Sequence, residues 1–149
     1  MNLNIGERLS YRNVIRKIYY DISNDSLQET IEQFLSNLEH LGVDPNGPLI
    51  YNYQRIYKDG SYDIEMMIPV TDIVTDYTEV QFMSYLHITD MLHSRFKSKD
   101  FIKEERQGMK TIVDYVNDNG LMVVSPYYHI VNRTTGNIEI KVKVSTYRD

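Results

Sequence analysis

Apolar and polar residues alternate along Asp63–Val70 (Asp-Ile-Glu-Met-Met-Ile-Pro-Val), and the same alternation returns at Asn137–Val144 (Asn-Ile-Glu-Ile-Lys-Val-Lys-Val). In each stretch one parity is apolar throughout: Ile64, Met66, Ile68 and Val70, then Ile138, Ile140, Val142 and Val144. A half-buried strand requires that period of two. Each copy places one carboxylate, Glu65 or Glu139, on the opposite parity.

The remaining elements follow from the same patterning. Residues 1–7 read as a loose lead-in, and Leu9–Tyr20 as a strand with Val14 and Ile18 as apolar positions. Ser26 and Glu29 form a capping-box pattern ahead of Leu27, Ile31, Phe34, Leu35, Leu38 and Leu41, a helical stripe that Gly42 ends. After turn chemistry at Asp44-Pro-Asn-Gly-Pro48, Leu49–Tyr57 is a strand with Tyr51, Tyr53 and Tyr57 on one parity. Lys58-Asp-Gly-Ser61 is a hairpin turn into the first repeated strand. Thr71–Glu79 is a polar linker, and Val80–Phe96 a long strand bent or bulged near Asp90. Ser98-Lys-Asp100 opens a second helix whose stripe is Ile102, Met109, Ile112, Val113 and Val116, closed at Asn119-Gly120. Pro126–Asn132 and Ile138–Tyr147 form the last hairpin.

The predicted order is β-α-β-β, linker, β-α-β-β, with half-repeats at about 8–70 and 80–147 joined by 71–79 in a single domain covering 1–149. Val14 and Ile18 match Leu92 and Phe96 at an offset of 78, as do Phe34 and Ile112, Leu38 and Val116, Gly42 and Gly120, and Pro48 and Pro126. Past the hairpin turn the offset is 74, where Glu65 meets Glu139. A hairpin loop absorbs such a length change cheaply. Agreement over strand, helix, turn and strand in one order points to a repeated unit.

Composition narrows the class of protein. With no cysteine, neither disulfides nor thiolate sites are available. No run of about 18 apolar residues and no secretory signal is present, so the expectation is a cytoplasmic protein without membrane contact. The net charge is −5 and the basic residues are scattered, which argues against nucleic acid as a partner. Tyrosine is abundant, 13 residues with no Trp, and suits both strand positions and half-wet clefts.

Two β-α-β-β units, with Gly47-Pro48 or Ser125-Pro126 entering the first hairpin strand and Ile-Glu-x-x-x-x-Val closing each, resemble the GyrI-like effector-binding domains of bacterial multidrug-responsive regulators. The resemblance spans roughly Leu9–Tyr147. It implies an α+β fold of duplicated units about a pseudo-twofold axis, with antiparallel sheets, two helices on one face and a groove on the other. It also implies a stand-alone copy without a DNA-binding segment, whose groove holds an aromatic or cationic small molecule against Glu139, with Glu65 as the first-half counterpart.

A carboxylate beside aromatic rings suits an organic cation, since Coulomb attraction and ring quadrupoles act together. The expected walls are Tyr51, Tyr53, Tyr57, Tyr85 and Tyr127 or Tyr128. The competing reading makes both glutamates ordinary strand charges paired with Lys or Arg; Lys141 and Lys143 share the parity of Glu139. His87 and His93 lie about 20 Å apart along an extended strand, so no metal or other cofactor is expected. The leading expectation is a non-catalytic small-molecule-binding protein. The alternative is a protein-interaction module, such as an accessory or antidote protein of a bacterial toxin or secretion system, with a Glu/Tyr hydrolase third.

Overall fold

A computed structural model describes residues 3–72, 80–97 and 101–146. Of the expected linker, residues 73–79 lie outside the described residues, as do Ser98–Asp100, the side chain of Ile102, and Tyr147. The protein is α+β: β1 (Leu3–Ile22), α1 (Leu27–His40), β2 (Leu49–Ile56), β3 (Tyr62–Pro69), β4 (Gln81–Lys97), α2 (Phe101–Asp118), β5 (Leu121–Val123), β6 (Tyr128–Val131) and β7 (Asn137–Thr146). The pairs β1–β3, β2–β3, β4–β7, β5–β7 and β6–β7 are antiparallel. The chain forms two compact units, Tyr11–Leu86 and Met1–Ser10 with His87–Asp149.

In the unit Tyr11–Leu86, β3 runs between β1 and β2, with Ile18 and Asn52 both paired to Glu65. Cross-strand partners share a face. Ile64, Met66, Tyr19, Tyr51 and Tyr53 therefore lie on one side, where the Tyr19 ring meets Phe34 of α1 edge-on at 6.4 Å. Phe34 and Leu38 are buried there, so α1 covers this face. The strand residues of β1 facing the helix are thus Ile15 and Tyr19, and Ile18 is on the Glu65 side. The expected capping box sits one turn earlier: Ser23 and Ser26 cap each other around the 3-10 turn Asn24–Ser26, which leaves the Ser26 hydroxyl no role at the start of α1.

In the other unit β7 runs between β4 and β6, and β5, absent from the sequence reading, pairs with its last residues. Leu92, Phe96, Ile112, Val116, Ile138, Ile140 and Val142 make one core between α2 and the strands. Val113, assigned to the buried stripe, is exposed instead, because Ile112 and Val116 already face the sheet. Mid-helix Gly108 lets α2 approach closely: a Cβ there would stand 3.4 Å from both Ile140 Cδ1 and Ser94 Oγ. On the same face the fully buried His129 meets Glu105 of α2 at 3.1 Å. The lead-in expected over 1–7 is strand from Leu3, tied down by Asn4 bonding to His93 and by the Arg8 carbonyl accepting from Lys141, long-range contacts that no local periodicity records.

The two units share their registers. Adding 74 to β3 gives β7 and adding 78 to β2 gives β6: Ile50–Met67 and Asn52–Glu65 become Tyr128–Lys141 and Ile130–Glu139. The helices follow the same 78, Leu27–His40 falling on residues 105–118 of α2. For the first strand the offset is 77 and not 78: Val14–Pro69 and Arg16–Met67 become Met91–Lys143 and His93–Lys141. Left-handed residues at Asn13 and Asp90, φ 55° and 56°, fall at the same offset. Each is an Asn or Asp, the non-glycine types that tolerate that conformation best.

Candidate functional site

The helix-free face of each unit centres on its repeated glutamate. Glu65 is held from both sides: Arg16 Nε donates to Oε2 at 2.7 Å with Arg16 Nη2 on the same oxygen, and Asn52 Nδ2 donates to Oε1 at 2.9 Å. Gln54 in turn bonds Asn52, and Gln81 bonds Arg16. The Glu65 side chain keeps 10% of its accessible surface. Such a carboxylate has its charge neutralised and both oxygens hydrogen-bonded within the chain.

Glu139 has the same strand position and a different shell. Arg95 Nη2 donates to Oε1 at 2.9 Å, and His93 Nε2 stands 3.4 Å from that oxygen. Asn4 Nδ2 meets His93 Nδ1 at 2.9 Å. As the amide nitrogen is the donor, Nδ1 accepts and the ring proton sits on Nε2, facing Glu139. Burial pulls the His93 imidazole below its ordinary value; Glu139 raises it, Lys141 lowers it, and Glu7 and Arg95 add smaller opposing effects. Lys141 and Lys143 share the face, but their ammonium groups are drawn away to main-chain carbonyls, Lys141 to Arg8 at 2.7 Å and Lys143 to Thr89 at 2.9 Å. The Glu139 side chain remains 29% exposed, nearly three times Glu65.

The tyrosines expected beside the carboxylates divide between the faces. Tyr51 and Tyr53 belong to the α1 side, in an aromatic cluster with Tyr62 (Tyr53–Tyr62 centroids 4.8 Å), because the β2–β3 register sets Asn52 against Glu65. They do not share the face of Glu65. Tyr57 does: a register shift between Tyr53 and Arg55 carries it across, and its hydroxyl donates to Asp63 Oδ2 at 2.8 Å. That hydrogen bond pushes the Tyr57 phenol up. Arg55 lies over its ring at 5.0 Å. Tyr127 packs against the α2 core, where burial raises its phenol, and its neighbour Tyr128 is the one on the Glu139 face, paired with Lys141. Tyr85 is exposed on β4. Arg16, Asn52 and Arg95 were not singled out from the sequence as site residues, and His93 was weighed only as a metal ligand; the corrected offset of 77 sets Arg16 on His93 and leaves Asn52 and Arg95 without a matching signal.

Among the described residues no group of His, Cys, Asp and Glu is arranged to hold a metal ion, and no helix is long and apolar enough to cross a membrane.

A family profile described as "Domain of unknown function (DUF5085)" matches residues 10–146. No curated protein matches the sequence. Among solved structures, the chain is similar to EcmrR in an EcmrR–DNA complex (TM-score 0.75, 14% identity, 98% of this chain and 58% of that one). It is also similar to the EcmrR C-terminal domain (TM-score 0.73, 14% identity, 98% of each chain) and to a hydrolase from Listeria innocua (TM-score 0.59, 10% identity, 97% of this chain and 90% of that one). The chain thus spans a little over half of EcmrR in the DNA complex and nearly all of its separate C-terminal domain. The expected GyrI-like fold fits these likenesses at the level of fold.

Proposed function

The chain belongs to the DUF5085 family, and from that premise we propose that it is a non-catalytic ligand-binding domain of the effector-binding type, taking a small aromatic or cationic compound at Glu139. One observation carries this reading. Of two carboxylates in the same register, Glu65 is enclosed by Arg16 and Asn52, whereas Glu139 keeps an exposed edge. A shared register with divergent shells is what a duplicated unit yields when one copy holds the fold and the other is left to receive a partner. The likeness to the EcmrR C-terminal domain supports the same reading at the level of fold.

A cationic ligand competes with Arg95 for Glu139. That exchange is feasible because Arg95 is 55% exposed, and exposed ion pairs are worth at most about 1 kcal/mol. A thermal-shift screen with rhodamine 6G and tetraphenylphosphonium tests the proposal. The melting temperature is expected to rise with at least one compound, and Glu139→Gln to abolish the rise with the unliganded melting temperature unchanged. No rise with any compound contradicts it.

A protein-interaction role is favoured by a separate observation, the strongly exposed Tyr20 (70%) and Ile56 (68%) of the unit Tyr11–Leu86. A defined complex that Tyr20→Ser and Ile56→Ser both disrupt, together with a negative dye screen, decides for that role. Turnover of an ester substrate that vanishes in Glu139→Gln decides for a hydrolase.

A further inference from the structure

Each repeated carboxylate has one arginine on it: Arg16 on Glu65, Arg95 on Glu139. They come from different positions, since Arg16 corresponds to His93 and Arg95 to Ile18. The charge is thus balanced in both units. The second partner differs. Opposite Glu65 on β2 stands Asn52, whose amide donates to the oxygen that Arg16 leaves open. Opposite Glu139 on β6, at the corresponding register position, stands Ile130, which has no donor. Among the described residues nothing donates to Glu139 Oε2.

We infer that the group completing the Glu139 site is a neutral N–H donor, a primary amide or the amino edge of a heterocycle, doing from a ligand what Asn52 does within the chain for Glu65. The inference rests on the ligand-binding reading and narrows its ligand class. A neutral donor can occupy the second oxygen with Arg95 still in place, whereas a full cation has to displace Arg95 from the carboxylate. A ligand bearing N–H at the right edge is discriminated from its N-methylated analogue because the latter leaves the carboxylate oxygen without a donor after excluding water from it.

The test is a 1H–15N chemical-shift titration of the full chain with three matched probes: 2-naphthamide, N,N-dimethyl-2-naphthamide and 2-naphthamidinium. The expected result is saturable movement of the Ile130 and Glu139 amides with 2-naphthamide, and binding about tenfold weaker or less for the dimethyl compound, the effect of one lost hydrogen bond. Ile130→Asn, which installs the Asn52 arrangement, is expected to lower 2-naphthamide affinity by the same factor. Glu139→Ala, at a partly exposed position, gives the same readout should Ile130→Asn not fold. Equal binding of the dimethyl compound, tighter binding of the amidinium, or silence with 2-naphthamide overturns the inference. None of these bears on the dye screen, so the broader reading fails only if that screen also fails.

Discussion

Arg16–Glu65 and Arg95–Glu139 are two ion pairs built on equivalent carboxylates, and the energetic difference between them follows from their surroundings. Glu65 keeps 10% of its side-chain surface and Arg16 25%, so removing Arg16 leaves a buried carboxylate with only Asn52 as partner. Arg16→Ala is expected to cost on the order of 2–4 kcal/mol. Arg95, more than half exposed, should cost less than about 1 kcal/mol when cut to Ala. Urea denaturation of the two variants measures both, and equal losses contradict the distinction between a sealed and an open site. His93 supplies a second prediction at this scale. Burial holds its ring below the ordinary histidine value, so the unfolded chain takes up this proton more readily than the folded protein. The stability contributed by the neutral ring is complete above about pH 6.5 and is lost as the pH falls from there toward the folded-state value. His93→Gln, which does not titrate, should flatten the decline of melting temperature below about pH 6.5; an unchanged slope means that His93 is not the group responsible.

At the scale of elements, the α2–sheet contact depends on a residue without a side chain. Ala at Gly108 places its Cβ in ordinary contact with Ile140 and Ser94 and gains helix propensity, so Gly108→Ala is expected to stabilise by up to about 1 kcal/mol. Gly108→Leu has nowhere to go and should cost on the order of 1–3 kcal/mol. Thermal denaturation of the pair gives the sign of each. Both helices, the two hairpins and the irregularity at Asp90, a left-handed residue within β4, were legible because each rests on local chemistry: a stripe at spacing three and four, Asp-Gly at a turn, alternation along a strand. The start of α1 after Ser26 was read in place, but the capping box assigned to Ser26 and Glu29 is made instead by Ser23 and Ser26 around the preceding 3-10 turn. What the sequence hid is whatever depends on register. A single bulge between Tyr53 and Arg55 decides that Tyr57 joins the Glu65 face while Tyr51 and Tyr53 pack under α1, and no periodicity along β2 reports it. In the same way, an error of one in the first-strand offset concealed the correspondence of Arg16 with His93. The matching strand positions of the two glutamates were therefore legible, and the residues around them were not.

For the molecule as a whole, one set of registers serves two different ends. The unit Tyr11–Leu86 uses its helix-free face to bind its own glutamate, through Arg16, Asn52 and the glutamines behind them. In the other unit the glutamate of matching register has His93, Arg95 and Ile130 around it, with the flanking lysines bonded to main-chain carbonyls. Likeness to the EcmrR C-terminal domain speaks for the fold, and the chemistry of any ligand has to be argued from these residues. The most direct measurement is a 1H–15N titration of the full chain with rhodamine 6G beside an identical titration of Glu139→Gln. The account predicts saturable shifts confined to Arg95, Ile130, Glu139 and Lys141 and their strand neighbours, lost in the variant. Shifts centred on Glu65, or shifts that persist in Glu139→Gln, contradict it.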